Sequence, residues 1–138
     1  MRTRTSDSRR CRIVAGQMPR VLIADDDPVM RMLLSAVINA DPALELVAAA
    51  EDATRAIELA GEHTPDVVLL DVEMPGGGGP HAAREIRANH PGTRILALSA
   101  HETGSARDEM DQAGADGYVI KGTPPGEIAQ ALRGGSGE

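Results

Sequence analysis

Three consecutive aspartates follow a short apolar segment near the start of the chain, in the sequence VLIADDDP at positions 21–28. Two carboxylates about 4 Å apart near a protein surface repel each other by about 4 kcal/mol. A chain that places Asp25, Asp26 and Asp27 together must offset this repulsion, either with open water or with a cation. The four apolar residues before them predict a strand that is buried on both faces, so the carboxylates lie where that strand ends.

Polar residues also end three other apolar segments. Asp71 follows DVVLL, Ser99 lies near the end of RILALSA, and Lys121 follows GYVI. Clustered carboxylates suit a hard cation such as Mg²⁺, and a carboxylate can also be the nucleophile that forms an aspartyl-phosphate. Phosphoryl transfer depends mainly on positioning and charge neutralisation, which a metal ion, a lysine and a hydroxyl donor can provide. The residue types therefore favour a cation over water alone as the partner of the aspartates.

Alternating apolar and amphipathic segments predict the elements that position these residues. Strands are expected at 21–24, 43–50, 66–70, 94–100 and 116–121. Helices are expected after Pro28, from Asp52 to about His63, from about Pro80 to Asn89, in the polar segment through Ala113, and in PPGEIAQALR. This order predicts a doubly wound α/β fold, with a five-stranded parallel sheet and helices on both faces. Ligands of such sheets bind at the carboxyl ends of the strands, where the polar residues above would meet.

The composition indicates one globular domain in a reducing compartment. No apolar stretch approaches the length of a membrane span, and the single Cys11 is typical of a cytoplasmic protein. The net charge is −7, but residues 1–18 carry five arginines and one aspartate. We predict a disordered basic leader at 1–18, a folded domain at 19–134, and a flexible tail or the start of a linker at 135–138. The acidic body argues against nucleic-acid binding by the folded domain itself.

The segment from about Pro19 to Arg133 resembles the receiver domain of two-component response regulators. The matching motifs are VLIADDDP, PDVVLLDVEMPGGGG, ILALSA and GADGYVIKG, and they occur in the order of the family. The resemblance implies a flavodoxin-like sheet with strand order 2-1-3-4-5. It also implies Mg²⁺-dependent phosphorylation by a histidine kinase or a phosphotransfer protein. A homodimer through the face of helix 4, strand 5 and helix 5 is a further expectation. The sequence leaves open whether the domain stands alone or belongs to a longer regulator.

The metal and phosphoryl residues follow from the same resemblance. Asp71 matches the phosphoacceptor, and Asp26 matches a direct Mg²⁺ ligand, with Asp25 acting through water. Glu73 stands where the family contributes a backbone carbonyl to the metal. These four residues are the predicted metal site.

The resemblance also implies three residues that respond to the phosphoryl group. Ser99 matches the hydroxyl that hydrogen-bonds the phosphoryl group, and Lys121 matches the lysine that pairs first with the acceptor aspartate and then with the phosphate. Tyr118, the sole aromatic residue of the chain, matches the switch residue that changes rotamer when Ser99 moves. One departure concerns Gly122, which follows Lys121 where the family usually has proline and predicts a looser loop.

Two other functions compete with the phosphorylation switch. A haloacid-dehalogenase-type phosphohydrolase also uses an aspartate nucleophile and Mg²⁺, but it requires Asp-x-Asp where this chain has Asp71-Val-Glu73. A receiver-like module that acts without phosphorylation usually lacks an acidic residue or the lysine, and this chain keeps both. We therefore expect no enzymatic activity beyond self-catalysed phosphorylation and dephosphorylation. The four glycines at 76–79 lack the Gly-Lys-Ser/Thr of a P-loop, so they are predicted to form a flexible loop beside Asp71.

Overall fold

The computed structural model describes residues 18–101 and 104–134, which form five strands and five helices. The elements in chain order are β1 Arg20–Ala24, α1 Pro28–Asn39, β2 Glu45–Ala50, α2 Ala53–His63, β3 Val67–Asp71, α3 Gly78–Asn89, β4 Arg94–Ser99, α4 Ser105–Ala113, β5 Gly117–Ile120 and α5 Pro125–Leu132. All strand pairs are parallel and the sheet order is β2-β1-β3-β4-β5, as expected. Residues 1–17 of the predicted leader and the predicted tail at 135–138 lie outside the described residues.

The sheet has one apolar core on each face, which confirms the doubly wound arrangement. Alternate residues of each strand point to opposite faces, so neighbouring strand residues belong to different cores. The core under α1 and α5 contains Val21, Ile23, Leu34, Ile38, Val67, Leu69, Leu96, Leu98, Ile128 and Leu132. The core under α2, α3 and α4 contains Leu22, Ala56, Leu59, Val68, Leu70, Ala82, Ile86, Ile95 and Met110. None of the helices formed by the described residues is long and apolar enough to cross a membrane.

The third aspartate of the triplet starts α1. Asp27 is the N-cap residue, and its Oδ1 accepts a hydrogen bond of 2.9 Å from the amide of Val29. Pro28 occupies the first helical turn, where its missing N–H costs no hydrogen bond. Because Asp27 is used by the helix, two carboxylates of the triplet remain for other chemistry.

The glycine tract brings the start of α3 onto the end of β3. A Cβ atom at Gly79 would lie 2.5 Å from the carbonyl oxygen of Asp71, and the Gly79 amide donates to the Val72 carbonyl at 2.9 Å. The helix begins at Gly78, two residues before the predicted start at about Pro80, so Gly78 and Gly79 belong to α3 and not to the predicted loop. The absence of a side chain at Gly79 therefore allows a close backbone contact beside Asp71.

Candidate functional site

Three carboxylates meet at the carboxyl edge of the sheet, where β1 and β3 lie side by side. One oxygen atom from each of Asp25, Asp26 and Asp71 lies within 4.8 Å of the others. Asp25 is fully buried and Asp71 is 4% exposed, whereas Asp26 is exposed to solvent. The parallel register aligns the ends of the two strands, because Ala24 pairs with Leu70 immediately before the aspartates.

Lys121 places an ammonium group between the two buried carboxylates. Its Nζ lies 3.1 Å from Asp71 Oδ2 and 3.5 Å from Asp25 Oδ2. Its amide donates to the Ser99 carbonyl at 2.7 Å, which fixes the lysine beside β4. Burial lowers the pKa of Lys121, but the hydrogen bond and charge of Asp71, with the charge of Asp25, outweigh burial and raise the pKa above its usual 10.5. The lysine therefore stays protonated at neutral pH. Gly122, which follows it in place of the family's usual proline, has a φ of 96°.

The pKa of Asp71 is raised from 3.8 to about 6, chiefly because the carboxyl is buried. Hydrogen bonds from the Glu73 amide, at 3.2 Å, and from Lys121 act in the opposite direction, and the negative charge of Asp25 adds to the increase. Most of Asp71 is ionised at neutral pH, which is the form in which a carboxylate is a nucleophile. The site thus holds an ionised carboxylate whose charge is only partly neutralised by the protein.

The donor set at this edge fits a hard divalent cation. Asp25 Oδ1 accepts a 2.9 Å hydrogen bond from the Asp27 amide, whereas Asp25 Oδ2 is buried without a hydrogen bond and has the Lys121 ammonium 3.5 Å away. A buried carboxylate oxygen without a hydrogen bond is costly, and one ammonium shared with Asp71 compensates for this cost only in part. The exposed Asp26 leaves this oxygen cluster open to solvent, and Mg²⁺ prefers one or two carboxylates together with water molecules. The residues Asp25, Asp26 and Asp71 therefore match the requirements of Mg²⁺.

Ser99 lies at the rim of a cavity of about 250 Å³ that also borders Asp71, His101, Arg107 and Lys121. The Ser99 hydroxyl donates to the His101 carbonyl at 2.8 Å and accepts from the His101 amide at 3.1 Å. The hydroxyl is thus held by its own loop rather than by Asp71. A phosphoryl group in this cavity would have to compete with the His101 carbonyl for the Ser99 proton.

Tyr118 lies on β5 and contacts the outer side of α4. Its hydroxyl donates to the carboxylate of Asp111 and lies 3.1 Å from the Arg107 carbonyl oxygen. The Arg107 guanidinium stacks 3.9 Å from the centre of the Tyr118 ring. Burial raises the pKa of Tyr118, and the Asp111 carboxylate adds to this increase while Arg107 opposes it. Sequence reasoning missed both partners, whose spacing of four residues on a polar helix was the available signal.

Two further residues, Glu73 and Arg31, contact the aspartates of the cluster. The side chain of Glu73 is exposed, and its amide contacts Asp71, while the role expected of its carbonyl remains a prediction. Arg31 of α1 was not singled out from the sequence, yet its guanidinium donates to the carbonyl of Asp25 at 2.8 Å. The only sequence signal for Arg31 was a basic residue in the second turn of a helix that starts at the acidic triplet.

Comparisons with known proteins identify the family of this chain. The family model for the response regulator receiver domain matches residues 21–133. The chain is 40% identical over 114 residues to the uncharacterized transcriptional regulatory protein YxjL of Bacillus subtilis, covering 83% of this chain and 52% of that protein. It is 36% identical over 116 residues to the response regulator GacA of Pseudomonas viridiflava, covering 84% of this chain and 54% of that protein.

A solved structure extends the likeness to the fold. The signal receiver domain of the putative response regulator NarL from Mycobacterium tuberculosis superposes with a TM-score of 0.79 at 34% identity, covering 84% of this chain and 94% of that one. The chain spans about half the length of the curated relatives it matches. These matches favour neither a phosphohydrolase nor a receiver-like module that acts without phosphorylation. The chain belongs to the family of receiver domains of two-component response regulators.

Proposed function

We propose that Asp71 accepts a phosphoryl group from a histidine kinase or a phosphotransfer protein, with Mg²⁺ held by Asp25, Asp26, Asp71 and the backbone carbonyl of Glu73. The observation that carries the proposal is the buried Asp71 carboxylate, which lies 3.1 Å from Lys121 at the same sheet edge as two further aspartates. Bound Mg²⁺ would supply charge neutralisation for the phosphoryl oxygens. Each of these roles follows from the family resemblance.

The chemical step is a phosphoryl transfer from an oxygen or nitrogen atom of the donor to a carboxylate oxygen of Asp71. A carboxylate oxygen of Asp71 forms a new P–O bond while the bond between phosphorus and the donor breaks. With an acyl phosphate the donor leaves as a carboxylate that keeps the electron pair of the broken bond. With a phosphohistidine the imidazole leaves with that pair and takes up one proton. Water later attacks the acyl phosphate and returns the Asp71 carboxylate and inorganic phosphate.

Ser99 and Lys121 bind the transferred group in this proposal. The Lys121 ammonium already lies within hydrogen-bond distance of Asp71 and can follow the charge to the new phosphoryl oxygens. The Ser99 hydroxyl exchanges the His101 carbonyl for a phosphoryl oxygen, because a charged acceptor forms the stronger hydrogen bond. The loop after β4 is thereby coupled to the phosphorylation state of Asp71.

Phosphorylation changes the face formed by α4, β5 and α5, and Tyr118 is the switch residue. Loss of the contact between Ser99 and His101 opens space for Tyr118 to turn away from Asp111 toward the sheet. The two states differ only by their contact energies, so the population moves by that difference. A homodimer or another partner that prefers the second arrangement would bind through this face.

The surface of α1 next to the acidic cluster supports a protein as the phosphodonor. Val29, Met32 and Leu33 are 56%, 64% and 54% exposed, and they account for three of the four exposed large hydrophobic residues in the described ranges 18–101 and 104–134. They lie on one side of the helix that begins directly after Asp26 and Asp27. An apolar patch beside a charged site is suited to transient contact with a helical partner.

The folded unit is the receiver domain at residues 19–134, and it acts in the cytoplasm with no enzymatic activity beyond its own phosphorylation and dephosphorylation. The basic leader at 1–18 and the tail or linker at 135–138 lie outside this unit. The acidic domain does not itself bind nucleic acid.

Intact-mass spectrometry tests the proposal directly. The protein is incubated with a small acyl phosphate and Mg²⁺, and one phosphoryl adduct is expected, which disappears in Asp71→Asn. The control Asp108→Asn removes the same charge from an exposed position in the first turn of α4 and should keep the adduct. An adduct that survives Asp71→Asn would refute the assignment. Steady hydrolysis of a phosphomonoester would instead favour the phosphohydrolase, and no Mg²⁺-dependent labelling would favour the phosphorylation-independent module.

A further inference from the structure

Asp26 is exposed to solvent at the start of the acidic turn. Among the described residues, its carboxylate has no hydrogen-bond partner and forms no ion pair, although it belongs to the acidic cluster. Its orientation must therefore be set by the backbone on either side of it. Asp25 and Asp27 are the two residues that hold this backbone.

The backbone around Asp26 is fixed by four hydrogen bonds. The Asp25 amide donates to the Ala50 carbonyl at 3.1 Å, and the Asp27 amide donates to Asp25 Oδ1 at 2.9 Å. The Arg31 amide donates to the Asp27 carbonyl at 3.0 Å as the first helical hydrogen bond of α1. The Arg31 guanidinium donates to the Asp25 carbonyl at 2.8 Å. Arg31 therefore binds the acidic turn twice, once through its main chain and once through its side chain.

The direction of the Arg31 side chain explains this second contact. Side chains of an α-helix tilt toward its N-terminus, so a long residue in the second turn reaches the residues that precede the helix. The guanidinium forms no ion pair with another described side chain, and its hydrogen bond to Asp25 joins it to the main chain. Arg55, by comparison, lies on α2, and its guanidinium forms ion pairs with Glu58 and Glu62. Arg31 is thus committed to the backbone of the acidic turn.

We propose that Arg31 is a positioning residue for the metal site, because its hydrogen bond to the Asp25 carbonyl holds Asp26 in the orientation that binds Mg²⁺. This inference rests on the proposed function of the acidic cluster. Residues that orient metal ligands without touching the metal commonly contribute about 10- to 100-fold to metal affinity, and a single hydrogen bond to a ligand's backbone belongs at the lower end of this range. The charge of Arg31 has the opposite effect, because a nearby cation repels Mg²⁺. The sign of the change after removing Arg31 therefore separates a positioning role from a purely electrostatic one.

The test compares Mg²⁺ binding by the parent protein, Arg31→Met and Arg31→Lys, using isothermal titration calorimetry. Methionine keeps much of the apolar stem and removes the donor, whereas lysine keeps a donor at a similar length. We expect Arg31→Met to weaken Mg²⁺ binding about tenfold, and Arg31→Lys to restore a large part of the affinity. Arg55→Met is the matched control, and it should bind Mg²⁺ as the parent does.

Two further measurements distinguish positioning from a loss of overall stability. Hydrogen exchange of the Asp27 amide in the metal-free protein should accelerate in Arg31→Met, while amides in the core of β3 remain protected. Phosphorylation by a small acyl phosphate should fall at limiting Mg²⁺ and recover at saturating Mg²⁺. A protein with weakened β3 protection would instead have lost general stability, and this result would contradict a specific role for Arg31.

The outcomes separate this inference from the proposed function. If the parent binds Mg²⁺ and Arg31→Met binds it equally or more tightly, the positioning role is wrong while the metal site stands. If Arg31→Lys binds as weakly as Arg31→Met, the hydrogen bond is not the reason for the loss and the inference is also wrong. A parent protein that binds no Mg²⁺ would overturn both the metal site and the role of Arg31.

Discussion

Replacement of Asp71 by asparagine should stabilise the metal-free domain at neutral pH and leave its stability in acid almost unchanged. Asp71 is 4% exposed, and its pKa rises from 3.8 to about 6 in the folded state, chiefly through burial. The folded domain therefore binds the Asp71 proton more tightly than the unfolded chain does. Asparagine has nearly the shape of the protonated carboxyl and cannot ionise, so the variant avoids the cost of the buried charge.

The sign and size of the effect follow from the two pKa values. Well below pH 3.8 the carboxyl is protonated in both states, so ionisation contributes nothing. Between about pH 4 and pH 6 the parent loses stability as the pH rises, and above that window the loss is constant. The difference between 3.8 and about 6 corresponds to about 3 kcal/mol. The pKa of about 6 already includes the attraction between Asp71 and Lys121, so no separate free energy is added for this ion pair.

The assay is denaturant unfolding followed by circular dichroism, because the chain has no tryptophan. Parent and Asp71→Asn are measured in chelator from pH 4 to pH 8. The gap between their free energies of unfolding should widen by about 2.5 kcal/mol over this range, equivalent to about 10 °C in Tm, because a small part of the full effect is already present at pH 4. Comparing the change in the gap cancels any constant effect of the substitution. Glu85→Gln, which removes a charge from an exposed position on α3, should keep a constant gap to the parent.

Parallel pH profiles for the parent and Asp71→Asn would refute this reasoning. Such a result would mean that Asp71 ionises near its ordinary pKa and that Lys121 compensates fully for its burial. A gap that narrows with rising pH would mean that the ionised carboxylate stabilises the metal-free fold. Either result would also weaken the case that the site needs a cation.

Three other predictions concern neighbouring residues. Gly79→Ala should destabilise the domain by about 2 kcal/mol or more in thermal unfolding, because its Cβ would lie 2.5 Å from a backbone oxygen. The control Gly61→Ala on α2, where a Cβ would have nothing within 4 Å, should be neutral or slightly stabilising, and equal effects of the two substitutions would contradict the close contact. Asp26→Asn should remove the thermal stabilisation by Mg²⁺, which for the parent is about 2.7 kcal/mol at a hundredfold excess over Kd, and a retained Mg²⁺ response would exclude Asp26 as a ligand. Asp111→Ala should raise the affinity of the domain for a beryllofluoride phosphate mimic about fivefold in NMR titrations, because the arrangement in which Tyr118 contacts Asp111 loses a hydrogen bond worth about 1 kcal/mol. An unchanged affinity would show that this contact does not oppose switching.

The sequence by itself predicted the sheet and the edge at which the site lies. Uninterrupted apolar segments such as VVLL are typical of strands covered on both faces, and each is followed by a polar residue at a position where a parallel sheet binds ligands. These are local patterns with a fixed consequence, because parallel strands bring their carboxyl ends to one edge. The approach of Asp25, Asp71 and Lys121 follows from that rule, and the structure places them within ion-pair distance.

Only the tertiary structure decided which side chains and backbone groups meet across elements. The contact between Gly79 and the Asp71 carbonyl depends on how closely α3 approaches β3. The contacts of Tyr118 with α4 and of Arg31 with the Asp25 carbonyl depend on side-chain directions and on differences of a few tenths of an ångström in the donor–acceptor distance. Sequence patterns repeat with the helix or strand period and carry no information at that scale. For this reason the sequence predicted the residues of the site, whereas the contacts of Gly79, Tyr118 and Arg31 around it could be identified only from the three-dimensional structure.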